Sequence, residues 1–173
     1  VNEPRELLLQ ARRFQVVRIA HQVPDGTLHN HEVVLHPGAV VILPLVGPDR
    51  VCLIENYRVA VGQTLWELPA GTLEPDEDPA ETAARELIEE TGYRAGKIEK
   101  LTEFFMSPGI LCERMHLFLA TDLRPGSAAP EAGEEIQTHV MGLDQALAKC
   151  DSGQVQDAKT LAGLLWYDRL RRK

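Results

Sequence analysis

The chain has 173 residues, a length that fits one compact core and leaves little room for a second. Hydrophobic residues make up 44% and charged residues 25%, so it can bury a real interior and is not a disordered tail. A net charge of −8 argues against a nucleic-acid partner, because a phosphate backbone is held mainly by surplus Lys and Arg, yet an acidic protein can still hold phosphate through bound cations.

Along the chain, the first twenty residues carry Arg5, Arg12, Arg13 and Arg18 with no sustained apolar run. Neither a signal peptide nor a membrane span is expected, and a cytoplasmic location is the default. Glu6 to Arg13 reads as a short helical turn. Residues 14–19 (FQVVRI) and 32–36 (EVVLH) read as strands on either side of Pro24-Asp25-Gly26, an N-terminal β-hairpin within a strand region spanning 1–36. His21, His29, His31 and His36 fall in this region at irregular spacing, which suits turns and surface better than a metal site.

Ala39 to Val46 and Val51 to Tyr57 are apolar runs flanking Gly47-Pro48-Asp49 and are expected as central strands joined by a tight turn. A helix is expected from Asp78, which can cap it, with Pro79 in the first helical position, Glu81 at the capping-box position and Gly92 at the end. Within it Ala80, Ala83, Ala84, Leu87 and Thr91 recur at helical spacing and form a narrow packing stripe, while the opposite side is almost wholly charged.

Ile98 to Phe105 and Met115 to Ala120 read as strands joined through Ser107-Pro108-Gly109, followed by a Pro-, Gly- and Ala-rich loop over 124–134. Ile136 to Met141 reads as a strand, Leu143 to Lys149 as a short helix, and Leu161 to Arg171 as a final helix. Strands mixed with flanking helices predict an α/β fold, a sandwich of helix, sheet and helix layers around a mixed sheet. Cys52, Cys112 and Cys150 are odd in number and widely spaced, so buried or idle thiols are expected rather than disulfides or zinc ligands.

The chemistry concentrates after Gly71, in GTLEPDEDPAETAARELIEETGY. Glu86 and Glu90 are one helical turn apart and Glu89 is three residues from Glu86, so one face presents three carboxylates that repel one another. Arg85 can pair with Glu89 but cannot neutralise the group. From charge alone a solvated acidic face is the commoner outcome. A hard divalent cation held by oxygen ligands, Mg2+ or Mn2+, is the alternative, since the segment contains neither His nor Cys.

The wider pattern favours the cation. Gly71, Glu77, Arg85, Glu86, Leu87, Glu89, Glu90, Gly92 and Tyr93 match without gap or substitution the Nudix box G-x5-E-x7-R-E-U-x-E-E-x-G-U, where U is bulky and apolar or aromatic. The chain thus resembles the Nudix hydrolases, with residues 37–173 as the catalytic domain. That resemblance implies a loop and helix that hold divalent cations against a diphosphate while water attacks phosphorus. By similarity Glu86 and Glu90 are metal ligands and Glu89 is a further ligand or the base. Arg85 orients the carboxylates, the main-chain carbonyl of Ala70 completes a metal site, and Glu77 steadies the loop.

Two features outside the box resemble the ADP-ribose pyrophosphatase subgroup: the segment ENYRVAVGQTLWELPAG over Glu55 to Gly71, and Pro108, which follows Gly92 by sixteen residues. They imply hydrolysis of ADP-ribose to AMP and ribose 5-phosphate, with Arg58 on a phosphate and Ser107, Pro108 and Gly109 beside the terminal ribose. Another nucleoside diphosphate sugar is the alternative substrate. A non-catalytic nucleotide-sensing module is a further alternative, but such modules typically lose a box glutamate and none is lost here. Glu113 resembles an acidic position of the subgroup.

A catalytic acid from the late loop is implied as well. Glu134 fits best, with Glu131 and Glu135 as rivals, although Ala132 and Gly133 depart from the more acidic loops of relatives. The subgroup's usual homodimer implies that residues 1–36 form a dimerisation arm, with Phe14 or a neighbour stacking on adenine.

Overall fold

The computed structural model describes residues 5–129 and 135–173. Strands β1 (Arg5–Gln10), β2 (Gln15–Gln22) and β3 (Leu28–Leu35) form an antiparallel sheet in that order. The turn foreseen at Pro24-Asp25-Gly26 is present: Gly26 takes φ 89°, and Asp25 accepts a bond from the Thr27 N–H at 2.8 Å.

Glu6 to Arg13 is not helical, which corrects the sequence reading. Arg18 stands opposite Glu6 in one neighbouring strand and Glu32 in the other, and donates to both, at 2.9 and 3.0 Å. Cross-strand pairing of this kind is a non-local influence that outweighs local helical spacing. The hairpin is therefore a three-stranded sheet, and its strands run longer than 14–19 and 32–36.

Strand β4 (Ala39–Pro44) lies inside a mixed sheet of order β7-β4-β9-β8, with β7 Ala70–Thr72, β8 Lys97–Phe105 and β9 Arg114–Thr121. The β4–β9 pair is parallel and the other two pairs are antiparallel. Strand β5 (Arg50–Arg58) lies between β10 (Ile136–Gly142) and β6 (Gln63–Glu67) in a second, antiparallel sheet. The two apolar runs around Gly47-Pro48-Asp49 are thus interior strands, but of different sheets. Strand β7 is too short for side-chain alternation to reveal it in the sequence, and β6 (QTLWE) shows no clean apolar–polar alternation.

Every residue of β4 is buried, which explains a run without polar residues. Val41 and Leu43 face Leu53, Leu68, Leu117 and Leu164 on one side. Val40 and Ile42 face Ala83 and Leu87 of helix α1 (Pro79–Thr91), with Phe118 and Ala120, on the other. Helices α2 (Leu143–Asp151) and α3 (Ala158–Arg171) supply Leu143, Leu147 and Leu164 to the first side. The result is the expected helix, sheet and helix layering. Among the described residues no helix is long and apolar enough to cross a membrane.

Helix α1 starts and stops where the sequence says. Asp78 accepts from the Ala80 N–H at 2.8 Å, Pro79 opens the helix, and Gly92 closes it at φ 76°. Glu81 stays exposed, so the cap rests on Asp78 without the reciprocal capping-box bond. A Cβ at Gly92 would lie 2.7 Å from the Gly126 carbonyl oxygen, because the loop after β9 packs on this cap and Ala129 donates to the Glu89 carbonyl at 2.9 Å.

Candidate active site

The acidic helix face is organised by one cation. Arg85 donates to both carboxylate oxygens of Glu77 at 3.1 Å, and its Nη1 donates to Glu86 at 2.7 Å and Glu89 at 3.0 Å. The Glu77 bonds are the main reason the guanidinium's pKa is raised, and in return they hold the Glu77 carboxyl below the usual carboxylate range. Arg85 therefore ties the loop acid to two helix acids.

Glu90 is not part of a solvated acidic face. It is only 3% exposed and accepts from the Ala70 N–H at 2.9 Å, which joins α1 to β7. Gly71 makes room beside it: a Cβ there would stand 1.9 Å from Cδ of Glu86, so any other residue would displace that carboxylate.

Part of this group borders a cleft of about 660 Å³, whose lining does not include Glu77, Glu89 or Glu90. Ala70, Gly71, Arg85 and Glu86 line one side, and Arg58, Asp157 and Lys159 also reach its wall. Arg58 makes a two-point pair with Glu67, Nε at 2.7 Å and Nη2 at 2.6 Å, and Lys159 donates to the same carboxylate. Burial pushes the Glu67 pKa up, but Arg58 and Lys159 outweigh it and hold the net value low. Sequence reasoning singled out Arg58 and missed Glu67, Asp157 and Lys159. The available signal was Asp157 as a helix cap: it accepts from the Thr160 N–H at 3.0 Å, and α3 begins three residues before the predicted Leu161.

Ser107, Pro108 and Gly109 form an exposed turn that does not reach the cleft wall, whereas Met106 and Glu113 on either side of it do. Arg12 and Arg13, at the turn between β1 and β2, also line the cleft, and nothing in their local sequence marked them. Glu131 and Glu134 lie outside the described residues, and Glu135 is exposed just before β10.

Comparison with known proteins decides the family, since the model of the NUDIX domain matches residues 34–164. The chain belongs to the Nudix family. An ADP-ribose pyrophosphatase of Bacillus subtilis is 40% identical over 80% of this chain and 76% of its own. A GDP-mannose pyrophosphatase of Cronobacter sakazakii is 38% identical over 96% of this chain and 94% of its own. A crystal structure of an ADP compounds hydrolase shares the fold with a TM-score of 0.86 and 24% identity, covering 98% of this chain and 92% of that one.

Nudix hydrolases generally need divalent metal ions. Among the described residues no three His, Cys, Asp or Glu side chains converge as a ready cage. Instead Glu86 and Glu89 meet on Nη1 of Arg85, and Glu90 is held by Ala70. The donor set still fits a hard divalent cation, being the carboxylates of Glu86, Glu89 and Glu90 within about one turn of one helix. The space that Gly71 leaves for Glu86 fits it too.

Proposed function

We propose that this chain hydrolyses the diphosphate bond of ADP-ribose to AMP and ribose 5-phosphate. The observation that carries the reading is one cleft bordered by both kinds of group a diphosphate needs. Glu86 and its Arg85 clamp stand with Ala70 and Gly71, while Arg58 and Lys159 supply cations to the same cleft. The ADP-ribose pyrophosphatase among the relatives supports the choice of substrate.

In this reading Glu86, Glu89, Glu90 and the Ala70 carbonyl hold Mg2+ or Mn2+. When bound, the ions would neutralise the diphosphate and lower the pKa of a water molecule. Arg85 keeps the carboxylates aligned, and its tie to Glu77 fixes the loop against the helix. Arg58 meets phosphate oxygens through Nη1, since Glu67 occupies its Nε and one Nη2 donor. The attacking water gives its proton to Glu89 or to the late-loop acid, for which we favour Glu134 over Glu131 and Glu135. Ser107, Pro108 and Gly109 form the loop beside the terminal ribose, and Met106 and Glu113, on either side of their turn, line the cleft there.

A homodimer built through residues 1–36 completes the proposal. Leu7, Leu8 and Leu9 of β1, Phe14 just before β2 and Leu28 at the start of β3 are all exposed, apolar side chains that a second copy would cover. Sedimentation at micromolar concentration should show a dimer, and a monomer would overturn this part. The setting for such an enzyme is the cytoplasm.

A second substrate is favoured by one observation, the GDP-mannose pyrophosphatase likeness over nearly the whole chain. Mass-spectrometric assay of a panel of sugar nucleotides with Mg2+ separates the two. ADP-ribose should give the highest kcat/KM with AMP as a product, and a preference for guanosine or uridine substrates would overturn the choice. Tight binding of ADP-ribose without turnover would point instead to a nucleotide-sensing module.

A further inference from the structure

Glu67 closes β6 at 1% exposure, within reach of two cations that it receives from distant parts of the chain. Arg58, at the end of β5, donates to it through two nitrogens, and Lys159, in the first turn of α3, donates to Oε2. Lys159 also contacts Asp157 at 3.0 Å. Asp157 in turn accepts from the Thr160 hydroxyl at 2.6 Å, and that hydroxyl oxygen accepts from the Leu68 N–H at 2.7 Å. One hydrogen-bonded network therefore fixes the end of β6 against the start of α3.

Buried ion pairs are a poor way to stabilise a fold, because well-packed apolar residues of similar volume do as well or better. What this network supplies is fixed geometry, two cations held at one carboxylate. Here the geometry has a use: Arg58 and Lys159 line the cleft, and Glu67 itself does not. The Nη1 donors of Arg58 are left over from the Glu67 pair.

We infer that Glu67 is a positioning residue, which holds Arg58 and Lys159 as a paired cationic clamp for the outer oxygens of the substrate's diphosphate. The inference rests on the proposed function and adds what sets the clamp. The Glu67 side chain touches no substrate and acts only through the two cations. Losing it lets the Arg58 and Lys159 side chains explore other rotamers, and the cost of re-ordering them falls on binding.

Steady-state kinetics of E67Q with ADP-ribose and Mg2+ test this, beside the same change made in an R58A/K159A background. E67Q should raise KM by about 10- to 100-fold, the range for losing a partner that orients a ligand-holding group, with a smaller change in kcat. In the R58A/K159A background the same change should leave KM nearly unaltered, because nothing remains for Glu67 to position. An unchanged KM in the first comparison, or an equal rise in both, overturns the inference.

Should E67Q fail to fold, R58K, K159M and their double variant carry the test. KM should rise in each, and the double effect should fall well short of the product of the singles, whereas independent effects overturn the clamp. A wild-type enzyme that does not turn over ADP-ribose refutes the proposed function instead, which keeps the two failures apart.

Discussion

Replacing Gly71 by alanine separates the site from the fold. Gly71 has no left-handed backbone angle to preserve, since it is absent from the glycines with positive φ. The added Cβ would stand 1.9 Å from Cδ of Glu86, 2.0 Å from Oε1 and 2.4 Å from Cγ, all atoms of one side chain. Ordinary contact begins near 3.4 Å, so the carboxylate must retreat by about 1.5 Å. A glutamate side chain can make that move by changing rotamer, and the stability loss should stay near the 0.5–1.5 kcal/mol of a roughly 30° off-rotamer torsion. Function should not survive it as well, because a misplacement of about 1 Å in a reacting group costs on the order of 100-fold. Thermal unfolding and steady-state kinetics with Mg2+ check both halves. A folded G71A enzyme with wild-type kcat would refute the assignment of Glu86 to the reacting centre.

Glu90→Gln keeps an acceptor for the Ala70 N–H but removes the buried charge, so kcat should fall by at least about 100-fold while the circular dichroism spectrum is retained. Gly92→Ala puts a side chain at φ 76° and 2.7 Å from the Gly126 oxygen, both unfavourable, and should cost about 1–3 kcal/mol in chemical denaturation. Cys52 is buried and its thiol is pushed up to about 12, so a disulfide reagent at pH 8 should modify exposed Cys112 first and leave Cys52 untouched until unfolding.

Acid stability gives a further check. The folded pKa of Glu67 is lowered by Arg58 and Lys159 against its burial, with Asp157 and Glu90 the other carboxylates near this cluster. A lowered carboxyl contributes stability above its unfolded pKa of about 4.3 and loses it as pH falls through the folded value. Urea titrations should therefore show wild type losing more stability than E67Q between about pH 5 and the folded pKa, and parallel curves would contradict the pairing.

The helix that carries the acids was legible in the sequence because everything that defines it is local. Asp78 caps it, Gly92 ends it, and Ala83 and Leu87 supply the stripe that packs on β4. The burial of Glu90 was not legible, since its reason is a main-chain N–H twenty residues away. The strand at Arg5–Gln10 was missed for the same kind of reason: Arg18, opposite Glu6, decides it, and helical spacing cannot report a partner in another strand. Lys159 was invisible as a cleft residue because its partner, Glu67, is ninety-two residues earlier. Arg58 was found through the segment it belongs to, although its two-point bond to Glu67 was not.

Manganese binding tests the acidic helix most directly, without relying on turnover. Electron paramagnetic resonance titration of the folded protein with Mn2+ and ADP-ribose should show bound ion in the wild type, with binding lost in the E86Q/E90Q variant. Equal Mn2+ binding by the two proteins, with both folded, would contradict a metal site on that helix.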